Sequence, residues 1–181
     1  MIVRHYFFGV ALVFIFATGF AVADITSPSA KVRALFTPGD DIASVMVEAI
    51  HQAIKQVRVQ AYSFTNKAIA RALQAAARRG IAVSVLADRE QFERGASFVL
   101  RDLRQAGVEI RLDGEHSAAH NKVMVIDGET NRGLAFTGSF NFTQAAQKHN
   151  AENVLVIDDA ALVLAFSENW LRHWKHSAAL D

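Results

Sequence analysis

The stretch "AHNKVMVIDGETNRGLAFTGSFNFT", residues 119–143, decides the reading of this chain. It holds two short apolar runs, one after Lys122 and one ending at Gly138, separated by the polar segment "GETNR". Two such runs around a polar turn predict a β-hairpin. His120 and Lys122 lie two residues apart at the mouth of the first run, and Ser139 and Asn141 lie two apart just after the second. Residues two apart on a strand point to one face. The hairpin would therefore gather an imidazole, an ammonium, a hydroxyl and a carboxamide at one end of a sheet.

That set suits phosphate chemistry. Lys122 offers a positive charge, and Ser139 and Asn141 offer neutral donors. Together they can surround a non-bridging phosphate oxygen, where negative charge grows during attack at phosphorus. His120 is the member that can attack, or carry a proton, near neutral pH. A His-x-Lys pair alone arises too easily by chance to mean much. The weight lies in the combination: H-x-K, four residues, Asp127, then G-S-x-N after a second apolar run. Asp127, at the end of the first run, suits a turn-capping or ion-pairing role.

Outward from the hairpin, the first half of the chain alternates. "KVRALFTP" predicts a strand over 32–36, and Asp40 or Asp41 caps a helix with Ile42, Val45, Met46, Ala49, Ile50 and Ile54 on one face. "QVRVQAYSF" predicts a second strand, and Asn66 caps a helix that Gly80 stops. "IAVSVLAD", a helix over 97–105 and "VEIRL" complete the series. The alternation predicts an α/β fold with parallel pairing and helices on the faces of the sheet. After the hairpin come a further strand, "NVLVID", and a closing helix over 160–176 with Phe166, Trp170 and Trp174 at every fourth position. No linker divides the halves.

The N-terminus reads differently. Arg4 precedes a long apolar run that ends in Ala21-Val22-Ala23, a small-x-small pattern suited to signal peptidase. A cleaved signal over 1–23 and one domain over 24–181 are expected, with an uncleaved inner-membrane anchor as the alternative. Either exports the rest of the chain, to the periplasm or beyond. Arg4 is the only charged residue before Asp24, which leaves 18 basic and 18 acidic residues. A whole-surface basic field for nucleic acid is thereby excluded, and any grip on a polyanion must be local. The chain has no cysteine, which excludes disulfides, a thiolate nucleophile and a Cys-based zinc site.

The hairpin stretch resembles the phospholipase D superfamily, whose signature is H-x-K-x4-D followed by G-S-x-N. "GSFNFTQAAQKHNAENVLVI" and "QAYSFTNKAIARAL" are similar to the small exported Nuc-type endonucleases of that superfamily, over residues 31–175. The resemblance implies a mixed β-sheet sandwiched between α-helices. It implies that His120 is the nucleophile of a phosphohistidine intermediate, that Lys122, Ser139 and Asn141 bind phosphate, and that Glu152 orients His120. It implies a homodimer in which two single-motif chains share one active site, a nucleic-acid substrate (DNA, with RNA open), and no cofactor. A phospholipid headgroup is the alternative substrate, and an inactive DNA- or lipid-binding dimer the third reading. Two departures stand out: Asn121 occupies a place where the group often has aspartate, and "GETNRG" lengthens the spacing between Asp127 and Gly138. A slip of one residue there would turn Ser139 and Asn141 to the wrong side.

Other residues have plainer readings. Tyr62 and Phe64 end a strand aimed at the site and are expected to line substrate, and His149 either touches substrate or is a solvated loop residue. Arg78 and Arg79 suit a helix C-terminus. His116 and His120 have zinc-binding spacing on a helix, but Gly114 precedes them, a strand follows and no third ligand is evident. No metal site is expected.

Overall fold

The expected helices begin where a polar side chain can satisfy backbone donors that no helical carbonyl reaches. In the computed structural model, which describes residues 31–180, Asp41 accepts from Ser44 N at the start of α1 (Ile42–His51). Asn66 accepts from Ala68 N and Ile69 N at the start of α2 (Lys67–Arg78). Gly80, at φ +85°, turns the chain out of α2. Arg79 does more than face a helix end: its guanidinium donates to the Ile50 and His51 carbonyls, so it caps α1.

The strands are β1 (Lys31–Thr37), β2 (Gln56–Ala61), β3 (Ala82–Asp88), β4 (Glu109–Asp113), β5 (Lys122–Ile126), β6 (Leu134–Gly138), β7 (Glu152–Asp158) and β8 (Ala178–Ala179). They form one sheet in the order β1-β7-β6-β5-β2-β3-β4-β8. β2, β3 and β4 pair in parallel, as the alternation predicts. All other pairings are antiparallel. β1 departs from the βαβ pattern: it lies at the far edge against β7, because β3 and β5 already occupy both sides of β2. A short helix α3 (Arg89–Gln91) and a π-helical turn (Phe92–Ala96) lead into α4 (Ser97–Gln105), with a kink at Gly95, φ +132°. α5 (Gln144–Lys148) and α6 (Ala160–His176) complete the fold.

α1, α2 and α4 cover one face of the sheet. Their apolar sides, including Met46, Ile50, Leu73, Leu100 and Leu103, pack on Val57, Val59, Val85 and Ile110. α6 covers the other face, where Val163 packs with Val123, Val125, Ala135 and Ile157. Trp170 is buried in this layer and donates to the Val59 carbonyl at 2.9 Å, so it is a core residue. Trp174 stacks on it at 4.5 Å. The chain is thus a mixed sheet between helical layers. The expected signal segment lies outside the described residues. Among the described residues, no helix is long and apolar enough to cross a membrane.

Candidate active site

The predicted hairpin forms with its register intact. Val123 pairs with Thr137 and Ile126 with Leu134, so the longer turn is absorbed without a slip. The mouth of β5, the end of β6 and the start of β7 then meet at the sheet end reached by the C-termini of β2, β3 and β4.

His120 stands exposed just before β5. Its ring lies 4.4 Å from that of Tyr62, tilted by 58°. Tyr62 is fixed in turn: its N–H donates to the Asn121 carbonyl at 2.9 Å and its hydroxyl accepts from Gln91 at 3.0 Å. Tyr62 therefore backs the imidazole. Asn121, the departure from aspartate, accepts from buried Gln60 at 3.2 Å, a bond that aspartate could also accept. Lys122 is buried, with its ammonium 4.8 Å from the centre of the Tyr62 ring and donating to the His120 carbonyl at 2.7 Å. Burial pushes its pKa below the ordinary lysine range, and the charge of Glu152 partly opposes this. Lys122 and Glu152 thus act on each other through space.

Ser139 donates to Glu152 Oε2 at 2.5 Å, and Asn150 donates to Glu152 Oε1 at 2.9 Å. The Ser139 hydroxyl also accepts from Asn153 N. A carboxylate has about four lone-pair positions, so Glu152 keeps room for an imidazole N–H. Asn141 is half-buried, and its Oδ1 has no protein partner among the described residues. The loop carrying Ser139 and Asn141 is anchored by Phe142, which bridges to Phe64. The two rings lie 5.6 Å apart and both are buried. Phe64, expected to line substrate, is 1% exposed and serves as this anchor. His149 caps α5, donates its N–H to the Ala145 carbonyl, and is exposed beside Asn150.

Asp127 is far from this cluster. It sits past the opposite end of β5, roughly 17 Å along the strand at about 3.3 Å per residue. Its carboxylate accepts from the N–H groups of Ile54, Lys55 and Gln56, at 2.8–3.0 Å. It holds the turn into β2, at φ +50°, which fits the turn-capping reading. Sequence reasoning missed Asn150, Thr37 and Gln91. Buried Thr37 accepts from Glu152 N and donates to the carbonyls of Ala146 and Asn150. Only the closeness of Asn150 to Glu152 in "HNAEN" could have signalled it. Thr37 and Gln91 reach the site through tertiary structure alone.

His116 does not share a site with His120. It turns to Asp113, 3.1 Å from both carboxylate oxygens, and its ring neighbours His173 and His176. Burial would raise the Asp113 carboxyl, but the three imidazoles and the Glu115 N–H outweigh it and hold its pKa at about 2.

Chemically, the sheet end offers an exposed imidazole, a desolvated ammonium, a hydroxyl on a carboxylate, and a carboxamide whose oxygen has no protein partner among the described residues. A family profile described as "Cardiolipin synthase, PLD-like domain" matches residues 46–174. The chain is 39% identical over 141 residues to a phospholipase D of Rickettsia bellii, covering 78% of this chain and 68% of that one. It is 29% identical over 154 residues to a mitochondrial cardiolipin hydrolase of Xenopus laevis, covering 85% and 71%. Its fold superposes on Nuc, a phospholipase D family member from Salmonella typhimurium, with a TM-score of 0.76 and 31% identity, over 83% of this chain and 98% of that one. With His120, Lys122, Ser139, Asn141 and Glu152 gathered at one sheet end, these likenesses place the function as phosphodiester hydrolysis, and the chain belongs to the phospholipase D superfamily.

Proposed function

We propose that the chain is an exported endonuclease that cuts nucleic acid without a metal at the reaction centre, through a phosphohistidine at His120. The observation that carries this reading is the openness of the site. His120 and Ser139 are exposed beside a buried ammonium. A polymer strand can cross such a site and leave on both sides. In the reaction, a ring nitrogen of His120 attacks phosphorus and the bond to the leaving oxygen breaks. The Lys122 ammonium and the Asn141 amide N–H group donate to the non-bridging oxygens, and Glu152 fixes the tautomer of His120. Water then displaces the histidine and regenerates it.

The leaving oxygen needs a proton, and this chain supplies one H-x-K-x4-D signature. A second copy supplies the other His120 in a two-fold dimer. The apolar face at the β1 edge supports this. Val32 and Phe36 alternate on β1, and Leu155 faces Ala34 across the β1–β7 ladder. These three side chains are 51%, 57% and 40% exposed, large values for apolar residues beside a polar site.

Plasmid digestion in excess EDTA, with His120→Ala alongside, tests the reading. Cutting by the wild type and none by the variant supports it, and cutting only with added Mg²⁺ contradicts it. The names phospholipase D and cardiolipin hydrolase among the relatives favour a second reading, phospholipid as the diester. Release of headgroup or phosphatidic acid from vesicles of phosphatidylcholine or cardiolipin, with DNA left intact, would select it.

A further inference from the structure

A second cluster lies on the same sheet end, built from residues that the reaction does not use. Asp113 ends β4 and is fully buried. His116 follows on the loop towards His120. His173 and His176 are three apart, so they share a face in the last turn of α6. Asp113 Oδ2 is 3.1 Å from His116 Nδ1, 3.2 Å from His173 Nδ1 and 3.3 Å from His176 Nε2. All four ligand atoms lie within 4.8 Å of one another. We propose that Asp113, His116, His173 and His176 bind one divalent transition-metal ion, zinc by preference, as a structural site that ties α6 to the loop carrying His120.

The distances favour this. Zinc bonds of about 2.0–2.1 Å to four tetrahedral ligands set the ligand atoms roughly 3.3 Å apart. The three contacts to Asp113 already have that length, and the imidazoles need only close on one another. Hydrogen bonding alone crowds the carboxylate. Three ring nitrogens and the N–H groups of Glu115 and His116 converge on two oxygens, with His116 Nδ1 shared between them. That exceeds the roughly four lone pairs available. A cation instead accepts lone pairs from neutral imidazoles and matches the charge of Asp113. Three nitrogens and one oxygen suit zinc, and the absence of sulfur disfavours Cu(I).

The surroundings fit as well. His176 turns Nε2 to the cluster and Nδ1 to Glu115 Oε2 at 3.5 Å, the carboxylate–histidine arrangement that orients metal ligands. The nearby cation, Arg111, points to the carbonyls of Trp174 and Ser177, with its guanidinium over Trp174. Ala119 N donates to buried Asp88 at 2.8 Å. The loop before His120 is thus held at Asp88 and, with a metal, at His116.

The test uses the untagged full-length chain, stripped by chelator and titrated with zinc alone. We expect one zinc per chain with a dissociation constant below micromolar, a higher melting temperature on binding, and a first shell of nitrogen and oxygen at about 2.0–2.1 Å by X-ray absorption. His173→Asn with His176→Asn should lose this binding, and His120→Ala should keep it. Less than half an equivalent bound at micromolar zinc, or unchanged binding by the double variant, overturns the proposal. If the double variant does not fold, the wild-type absorption spectrum decides. A shell with imidazole scattering supports the site, and an all-oxygen six-coordinate shell overturns it.

Discussion

His120, Lys122 and Asp127 belong to one sequence signature but do different physical work. His120→Ala should abolish turnover by roughly 10³-fold or more, with unfolding unchanged, as read by single-turnover kinetics and circular dichroism. Lys122 should carry the pH dependence. Its charged form is the one that burial penalises. The penalty is therefore present at every pH below the folded-state pKa, and it is relieved as pH rises from there to the ordinary value of 10.5. The ammonium is lost earlier than an ordinary lysine's, so the alkaline limb of kcat/KM should fall below 10.5. Lys122→Arg should remove that limb from the measurable range. Asp127 should behave oppositely. Asp127→Ala strands three backbone N–H groups, at a cost of about 3 kcal/mol, visible as a lower urea midpoint. Activity per folded molecule should be unchanged. From sequence, the roles of His120 and Lys122 were open to argument because their chemistry is singular. The role of Asp127 needed the turn at 54–56, a contact across 71–73 residues that no local pattern shows.

At the scale of elements, the site depends on the hairpin and on the loop after β6. The loop is held by Phe142 against Phe64. Phe142→Ala should cost about 3–5 kcal/mol and reduce kcat more than it raises KM, because Ser139 and Asn141 lose their seat. Stopped-flow kinetics at matched folded fractions would show the split. The hairpin, the caps at Asp41 and Asn66 and the parallel order β2-β3-β4 were legible, since each rests on periodicity or on a capping side chain within a few residues. The edge place of β1, the short β8 and the turn at Gly95 were not. Edge position is decided by which strand sides remain open after the others pair, and two-residue β8 has no period to read. Phe64 misled for a related reason: alternation gives its face, but burial comes from Phe142, far along the chain.

For the whole molecule, one open sheet end carries His120, Lys122, Ser139, Asn141 and Glu152, and the β1 edge beside it is apolar and exposed. Phe36→Asp with Leu155→Asp should give a monomer by sedimentation velocity, and turnover should fall at least about tenfold, as expected when central apolar contacts of an interface are lost. If the pair stays dimeric and active, the dimer uses another face. A pairing of chains was an expectation from the family resemblance and the single H-x-K-x4-D signature, whereas the exposed apolar side chains Val32, Phe36 and Leu155, which α6 leaves uncovered, became visible only through strand register. The His-Asp cluster was hidden for the same reason: His116 and His173 are 57 positions apart in sequence and meet only where α6 returns over β4.

The most direct measurement is covalent trapping. A labelled DNA diester is mixed with excess enzyme, quenched within the first turnover, and the adduct is located by mass spectrometry. We expect an acid-labile, alkali-stable phosphoryl adduct on His120 that disappears as product forms and is absent in His120→Ala. Label on another residue, or undiminished cutting by His120→Ala, would contradict it.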